Sequence, residues 1–356
     1  MKVQAVLAAA AMACMLSTDA QAASAYRMPL RASDLAPNER YSTRVHSTKN
    51  PDQVKAHDIG AQRHNSDKDW TGLRTGGADK KILSNWVVYG KPFYAMAPGT
   101  VVACWRNAPE NVPGKDSRHP DYIAGNIPGG GNHLWVLQDD GAYALYAHAM
   151  PDTIPTALCP HNDKLLTDTS ITKGHPKMRV DALVENGARV VTGQRLGQIG
   201  NSGSSSGPHL HVHMVKDGAP RSITFERGMT TPFPDDVASL NGPWTRLTGK
   251  TLPAARILVW APRPIGNYTF NGVLSANYQR MVEHLFDSGM MPSLITCASN
   301  GASYNSKWVP AKGQWASFHG MSAADATAKH AYYTGQGYKR TSSFTCGTVS
   351  VAVWRK

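Results

Sequence analysis

Between Tyr41 and about Met214 the chain alternates short β-branched or aromatic runs with clusters of Gly, Pro, Asn and Asp. Val87-Val88-Tyr89, Thr100-Val101-Val102-Ala103, His133-Leu134-Trp135-Val136-Leu137 and Ala142-Tyr143-Ala144-Leu145-Tyr146 read as strands, being short apolar runs bounded by turn residues. Val190-Val191 and the stretch from His209 to Met214 continue the pattern. Helical periodicity is scarce before residue 270, so this part is expected to be all-β. Residues 105–130 and 149–180 are rich in Pro, Asn and Asp and too long for tight turns. They predict long loops flanking a groove.

From about Pro232 to Pro253 there is little periodicity and several turn residues, which reads as a tail followed by a linker. The character then changes. Ala276 to Phe286 and Ala323 to Tyr333 carry apolar residues at helical spacing and end near Gly289 and Gly337. Each predicted helix precedes a strand-like run, Ser293 to Cys297 and Ser342 to Cys346, and each unit ends in a tryptophan, Trp308 or Trp354. The two units lie about 48 residues apart, the mark of an internal repeat. Cys297 and Cys346 hold equivalent places in the two runs, and a disulfide joins them naturally if those strands lie side by side.

The N-terminus adds a compartment. Met1-Lys2, an apolar run from about Val6 to Leu16 and Ala20-Gln21-Ala22 describe a cleaved secretory signal. The run is too short for a lasting membrane anchor. Ala11-Met12-Ala13-Cys14 offers a poorer, lipoprotein-like reading of the same segment. If Cys14 leaves with the signal, Cys104, Cys159, Cys297 and Cys346 remain, and an even number in an exported chain suggests two disulfides rather than four buried thiols. Cys104–Cys159 is then the partner of Cys297–Cys346, each pair lying within one domain.

The expected organisation is a signal at 1–22, an N-terminal segment at 23–40, a first domain at 41–235, a linker at 236–260 and a two-repeat domain at 261–356. The fold class is mainly β: an antiparallel β-sheet domain followed by a small α+β repeat domain. Only about twenty residues separate the signal from Tyr41, which leaves no room for a large pro-domain, although 23–40 is available to cover the groove. The formal charge is +12 and the pI about 9.5. Such an excess suits nucleic acid, anionic lipid or an anionic cell wall. The basic residues are scattered and no nucleic-acid module is recognisable, so neither nucleic acid nor stable membrane insertion is expected. A solvated basic surface accounts for the charge equally well.

Candidate chemistry concentrates in Gly197-Gln198-Ile199-Gly200-Asn201-Ser202-Gly203-Ser204-Ser205-Ser206-Gly207-Pro208-His209-Leu210-His211-Val212. Residues two apart on a strand share a face, so His209 and His211 address one site. With 14 histidines, chance supplies about half of one His-x-His pair, so the whole string carries the weight. It resembles the Gly-x-Ser-(Ser/Thr)-Gly-x-His-Leu-His signature of the lysostaphin-type, or LytM-type, zinc peptidases. Asn186-Gly187-x-x-Val190-x-x-Gly193-Gln194-x-Leu196-Gly197, Gly90-Lys91-Pro92-x-Tyr94-Ala95-x-x-Pro98-Gly99-Thr100-Val101 and Gly131-Asn132-His133 fit the same family. The resemblance spans about residues 40 to 216.

That resemblance implies a secreted or periplasmic zinc metallopeptidase that hydrolyses amide bonds in peptidoglycan cross-bridges or stem peptides. By position, His211 is a zinc ligand and His209 a catalytic histidine. Tyr146-Ala147-His148 matches the family's Tyr-x-His strand end, making His148 the second catalytic histidine. No closely spaced His-x-x-x-Asp precedes Gly90. Members that separate the two ligands by about a dozen residues point instead to Asp58, in Ala56-His57-Asp58-Ile59-Gly60, and to His46. His57 and His64 compete with His46, although His57 adjoins Asp58 on a strand and should face away. His213 shares the face of His211, but the family usually has no histidine there, and it is expected at the rim. Three protein ligands (His46, Asp58, His211) with an open fourth position suit a catalytic zinc. The C-terminal half resembles the bacterial tandem-repeat modules found beside secreted hydrolases, through Gly320-Met321-Ser322 and Gly337-Tyr338. This implies an accessory or binding role, with anionic cell-wall polymers as partners of a basic surface.

Three other readings are open to the sequence. Gly203-Ser204-Ser205-Ser206-Gly207 fits a serine-hydrolase motif, which requires a helix after the serine. Pro208 and a strand follow instead. A LytM-type domain that has lost its ligands binds peptidoglycan, or activates other hydrolases, without cutting; this chain retains the full set. An adhesion protein worked by the C-terminal repeats is the third.

Overall fold

The computed structural model describes residues 25–44, 46, 50–65, 69–114, 117–160, 169–170, 178–179, 182–232 and 244–356. The signal expected at 1–22, Cys14 within it, and residues 236–243 of the expected linker lie outside the described residues.

The chain is mainly β. Eight strands build the centre of a large sheet: β1 (Glu39–Arg44), β2 (His57–His64), β3 (Gly99–Trp105), β4 (Asn132–Gln138), β5 (Tyr143–Ala149), β6 (Leu210–Lys216), β7 (Met229–Pro232) and β8 (Ile257–Trp260). They lie in the order β3-β4-β5-β6-β2-β1-β8-β7, and every pairing is antiparallel. The period of two sorts their side chains. Leu210, Val212 and Met214 of β6 join Ile59, Ala61, Leu134, Val136, Ala144 and Tyr146 in the main core on one face. Val215 of β6 packs with Trp135, Tyr143, Leu145 and Ala147 on the other. The odd-numbered residues of β6, His211 and His213 among them, therefore share this second face.

Several runs read from sequence form strands or helices with slightly different ends. Two differ in kind. Val87 and Val88 are buried but lie in a bend rather than a strand, since the turn at Tyr89 and Gly90 follows at once. Residues 257–260, expected to close a linker, form β8 inside the large sheet, paired with β1 and β7. Ile257-Leu258-Val259 is a short apolar run whose burial outweighs its Pro-flanked context. Residues 23–40, over their described part, pack against the body of the domain rather than over the end that carries His148. Tyr26, Met28 and Leu30 enter the main core, and the Tyr26 hydroxyl bonds Asp140 in the β4–β5 turn, at the opposite end of that hairpin from His148.

The C-terminal part holds two strand–helix–strand–strand units. The first is β9 (Tyr268–Leu274), α1 (Ser275–Asp287), β10 (Met290–Ala298) and β11 (Ser303–Pro310); the second is β12 (Trp315–Met321), α2 (Ala323–Gly335), β13 (Lys339–Cys346) and β14 (Val349–Arg355). Both sheets place the last strand in the middle, β9-β11-β10 and β12-β14-β13. Helix α2 opens on a capping box in which Ser322 and Asp325 bond each other's backbone N–H. Tyr278, Leu285 and Trp308 of the first unit share a core with Val351 and Val353 of the second. Both expected disulfides are present, Cys104–Cys159 and Cys297–Cys346. Among the described residues no helix is long and apolar enough to cross a membrane.

Candidate metal centre

The antiparallel register fixes the site. His211 on β6 stands directly opposite Asp58 on β2 and, on its other side, opposite Ala147 on β5. Directly opposed residues share a face, so the His211 ring and the Asp58 carboxylate meet, with Nδ1 2.8 Å from Oδ1. His148 follows Ala147 at the strand end, and His209 precedes β6. His46 lies just beyond β1 with its Nε2 3.8 Å from the same Oδ1, while His209 Nε2 lies 3.5 Å from it. Thus the structure brings all five expected site residues together. Ligand atoms of His46, Asp58 and His211 lie within 4.8 Å of one another, as do those of His148, His209 and His211.

The ring nitrogens are not equivalent. A carbonyl oxygen only accepts, so the nitrogen facing it carries the proton. His148 Nδ1 lies 2.8 Å from the Ser202 carbonyl, and His209 Nδ1 lies 2.8 Å from that of Gly207. Each ring is thereby held in the tautomer that leaves Nε2 bare, and His209 presents it towards Asp58. The rings of His148 and His209 are 4.7 Å apart. His211 and His148 are almost fully buried, whereas Asp58 and His209 retain access to solvent. Burial lowers the pKa of His148, and His209 and His211 beside it lower it further, well below the ordinary histidine value. Burial likewise depresses His211. For Asp58 burial acts upward, but the charge and hydrogen bonds of His209 and His211 in their protonated forms outweigh it and hold the carboxyl below its ordinary range.

The other histidines sit elsewhere. His57 faces the opposite side of β2, near Phe225 and Thr251, and burial lowers its pKa to about 4. His64 packs its edge on Trp70. His213 departs from expectation: it is buried rather than at a rim, against Trp135, with its Nδ1 2.8 Å from His211 Nε2.

A buried polar frame holds the Gly/Ser loop. Asn111 Nδ2 donates to the carbonyls of Gly203 and Ser205, Asn201 Nδ2 donates to the Asn111 carbonyl, and the Ser205 hydroxyl donates to Asn201 Oδ1. The Ser202 hydroxyl accepts from the Asn132 N–H and donates to the Ala149 carbonyl. Gly131 and Gly203 let the two chain segments touch: a Cβ on Gly131 would stand 2.4 Å from Ser202, and one on Gly203 2.3 Å from the Gly131 nitrogen. Both glycines have positive φ. Asn111 and Asn201 were not singled out from sequence, where isolated asparagines in loops read as turn residues. His148 also has a positive φ, 67°, a backbone state that costs a non-glycine residue about 1 kcal/mol.

The donor set fits a zinc ion. Two imidazole nitrogens and one carboxylate oxygen are common zinc donors, and atoms around a tetrahedral zinc lie about 3.3 Å apart. The separations of 2.8 and 3.8 Å to Asp58 Oδ1 bracket that spacing.

No protein-family model matches the chain, and no curated protein matches it. Solved structures give partial likenesses. An M23 peptidase of Pseudomonas aeruginosa aligns at 19% identity with a TM-score of 0.22, covering 38% of this chain and 38% of that one. The catalytic domain of lysostaphin, an antimicrobial peptidase from Staphylococcus simulans, aligns at 19% identity and a TM-score of 0.21, covering 42% and 83%. A zinc-containing peptidase from Vibrio cholerae aligns at 17% identity and a TM-score of 0.21, covering 47% and 48%. The chain thus spans less than two thirds of the Pseudomonas and Vibrio proteins.

Proposed function

We propose that the chain is an exported, zinc-dependent peptidase of the LytM type that hydrolyses amide bonds in peptidoglycan peptides. One observation carries the reading: the Asp58–His211 pair, with His46 beside it and the Nε2 of His209 turned towards it. The motif string from Gly197 to Val212 supports it independently. His46, Asp58 and His211 would hold the ion, and His209 and His148 stand beside them. When bound, zinc lowers the pKa of a coordinated water to about 7 and polarises a scissile carbonyl.

The remaining work falls to the chain's own groups. His148 and His209, each with its Nδ1–H fixed to a carbonyl, present basic Nε2 atoms that accept a proton during attack and return it to the departing amine. Burial favours the neutral form of His148 and opposes its protonation, so a proton that it accepts during attack is readily given up to the departing amine. The Gly/Ser loop, with its short side chains, leaves room for substrate backbone. Peptidoglycan peptides are the proposed substrate class, and the basic C-terminal units are proposed to contact anionic wall polymers. The test is release of new amino groups from purified peptidoglycan of several bridge types by the zinc-loaded protein. Release that is lost in Asp58→Ala and His209→Ala supports the reading, and no release from any wall type rejects it.

A further inference from the structure

We propose that His213 positions the metal-ligating ring of His211, through a hydrogen bond from His211 Nε2–H to His213 Nδ1. The inference rests on the zinc reading above. It starts from His211 and His213 on one face of β6, with His209 just before the strand; only His209 and His211 belong to the motif.

His211 is the central residue of the site and makes polar contacts at both ring nitrogens. Its Nδ1 faces Asp58 Oδ1, and its Nε2 lies 2.8 Å from His213 Nδ1. Two imidazole nitrogens at that distance share one proton. If His213 Nδ1 carried it, His211 Nε2 would accept, and the proton of a neutral His211 would sit on Nδ1, pointing at Asp58. That arrangement closes the pair upon itself. If His211 Nε2 carries it, Nδ1 is bare and presents a lone pair beside the carboxylate, as a metal ligand must. His213 supplies the acceptor that makes the second arrangement available inside the protein, where an N–H without an acceptor is disfavoured. The acceptor is itself fixed. His213 is 4% exposed, and its ring meets the Trp135 indole edge-on at 5.2 Å. His211 is thus oriented by a second imidazole held on the same strand, where metal-bound histidines more often use a carboxylate, a carbonyl or water.

The test separates hydrogen bonding from packing. Asn in place of His213 sets a carbonyl oxygen near the position of Nδ1, whereas Phe fills the ring's volume with no acceptor. Zinc affinity is measured by chelator competition for wild type, His213→Asn and His213→Phe. The zinc-loaded, 15N-labelled wild type is examined for scalar coupling across an N–H···N bond between His211 Nε2 and His213 Nδ1. We expect the coupling to be present, His213→Asn to bind zinc within about threefold of wild type, and His213→Phe to bind about 10- to 100-fold more weakly. Phe binding as tightly as wild type overturns the proposal, as does Asn losing as much affinity as Phe, which would make the role one of packing. Should His213→Phe fail to fold, the coupling decides alone: its absence from the loaded wild type overturns the proposal. Wild type that takes up no zinc would instead remove the peptidase reading and this inference with it, a result distinct from tight binding by both wild type and His213→Phe.

Discussion

The imidazole of His284 on α1 lies flat against the indole of Trp260 on β8, with ring centroids 4.3 Å apart and planes 12° from parallel. The contact joins the first repeat unit to the large sheet, and the Arg40 guanidinium lies 4.3 Å from the same indole. The Arg227 guanidinium donates to the Ser288 carbonyl, and the Asp287 carboxylate accepts from the Gly228 N–H, across the same junction. His284 is 1% exposed, and its Nε2 has no hydrogen-bond partner among the described residues.

That environment makes the junction acid-sensitive. Burial, with Arg263 and Arg40 adding to it, holds His284 well below its ordinary pKa of 6.5. The unfolded chain therefore binds the proton first as pH falls, and stability is retained above 6.5 and lost below it. Each pH unit in this window removes about 1.4 kcal/mol while the folded ring stays neutral. Urea unfolding at pH 7.5, 6.0 and 5.0 checks this. His284→Phe keeps a flat ring on Trp260 and should show a shallower acid slope than wild type; equal slopes would clear His284 of the effect.

Metal removal should be felt as a loss of stability. A ligand bound only by the folded state stabilises it by about 2.7 kcal/mol at a hundredfold excess over Kd. Thermal unfolding of wild type with zinc and with chelator should give separate midpoints. Asp58→Ala removes the group shared by His46, His209 and His211, and its two curves should coincide. A zinc-dependent shift that survives in Asp58→Ala would move the ion to the His148, His209 and His211 group.

His209→Ala and His148→Asn address chemistry rather than binding. Asn is chosen at 148 because it tolerates the positive φ found there better than Ala does. Both variants should retain zinc at wild-type stoichiometry and lose about 10²- to 10⁴-fold in kcat. Loss of zinc in either would make that histidine a ligand.

Much of this was readable in advance, for definite reasons. The runs forming β3 to β6 announce themselves by short apolar stretches between turn residues, and both disulfides follow from cysteine position. The His209, His211 and Asp58 faces follow from the period of two, because a strand fixes direction before any partner is known. The burial of His213 did not, since period shows which face a residue takes but not what covers that face; Trp135, on β4, does. The strand β8 was missed because Ile257 to Trp260 is too short to show a period. Asn111 and Asn201 were missed because their function lies in a contact across 90 residues of chain.

Those asparagines support the last expectation. Asn201→Ala leaves the buried Asn111 carbonyl without its donor and the Ser205 hydroxyl without its acceptor on residue 201. Each lost buried partner costs about 1–3 kcal/mol, reduced here by the carbonyl of Gly207, which also accepts from Ser205. The loop carrying residues 202 to 207 fixes His209 through the Gly207 carbonyl and fixes His148 through that of Ser202, so its loosening should reach both rings. The ligands lie outside the loop. We therefore expect Asn201→Ala to lower the unfolding free energy by about 2 kcal/mol and to reduce kcat more than zinc affinity. Denaturant titration, zinc competition and peptidoglycan hydrolysis on the same preparation check all three. A variant that lost stability yet turned over at the wild-type rate would show that the loop does not position the histidines.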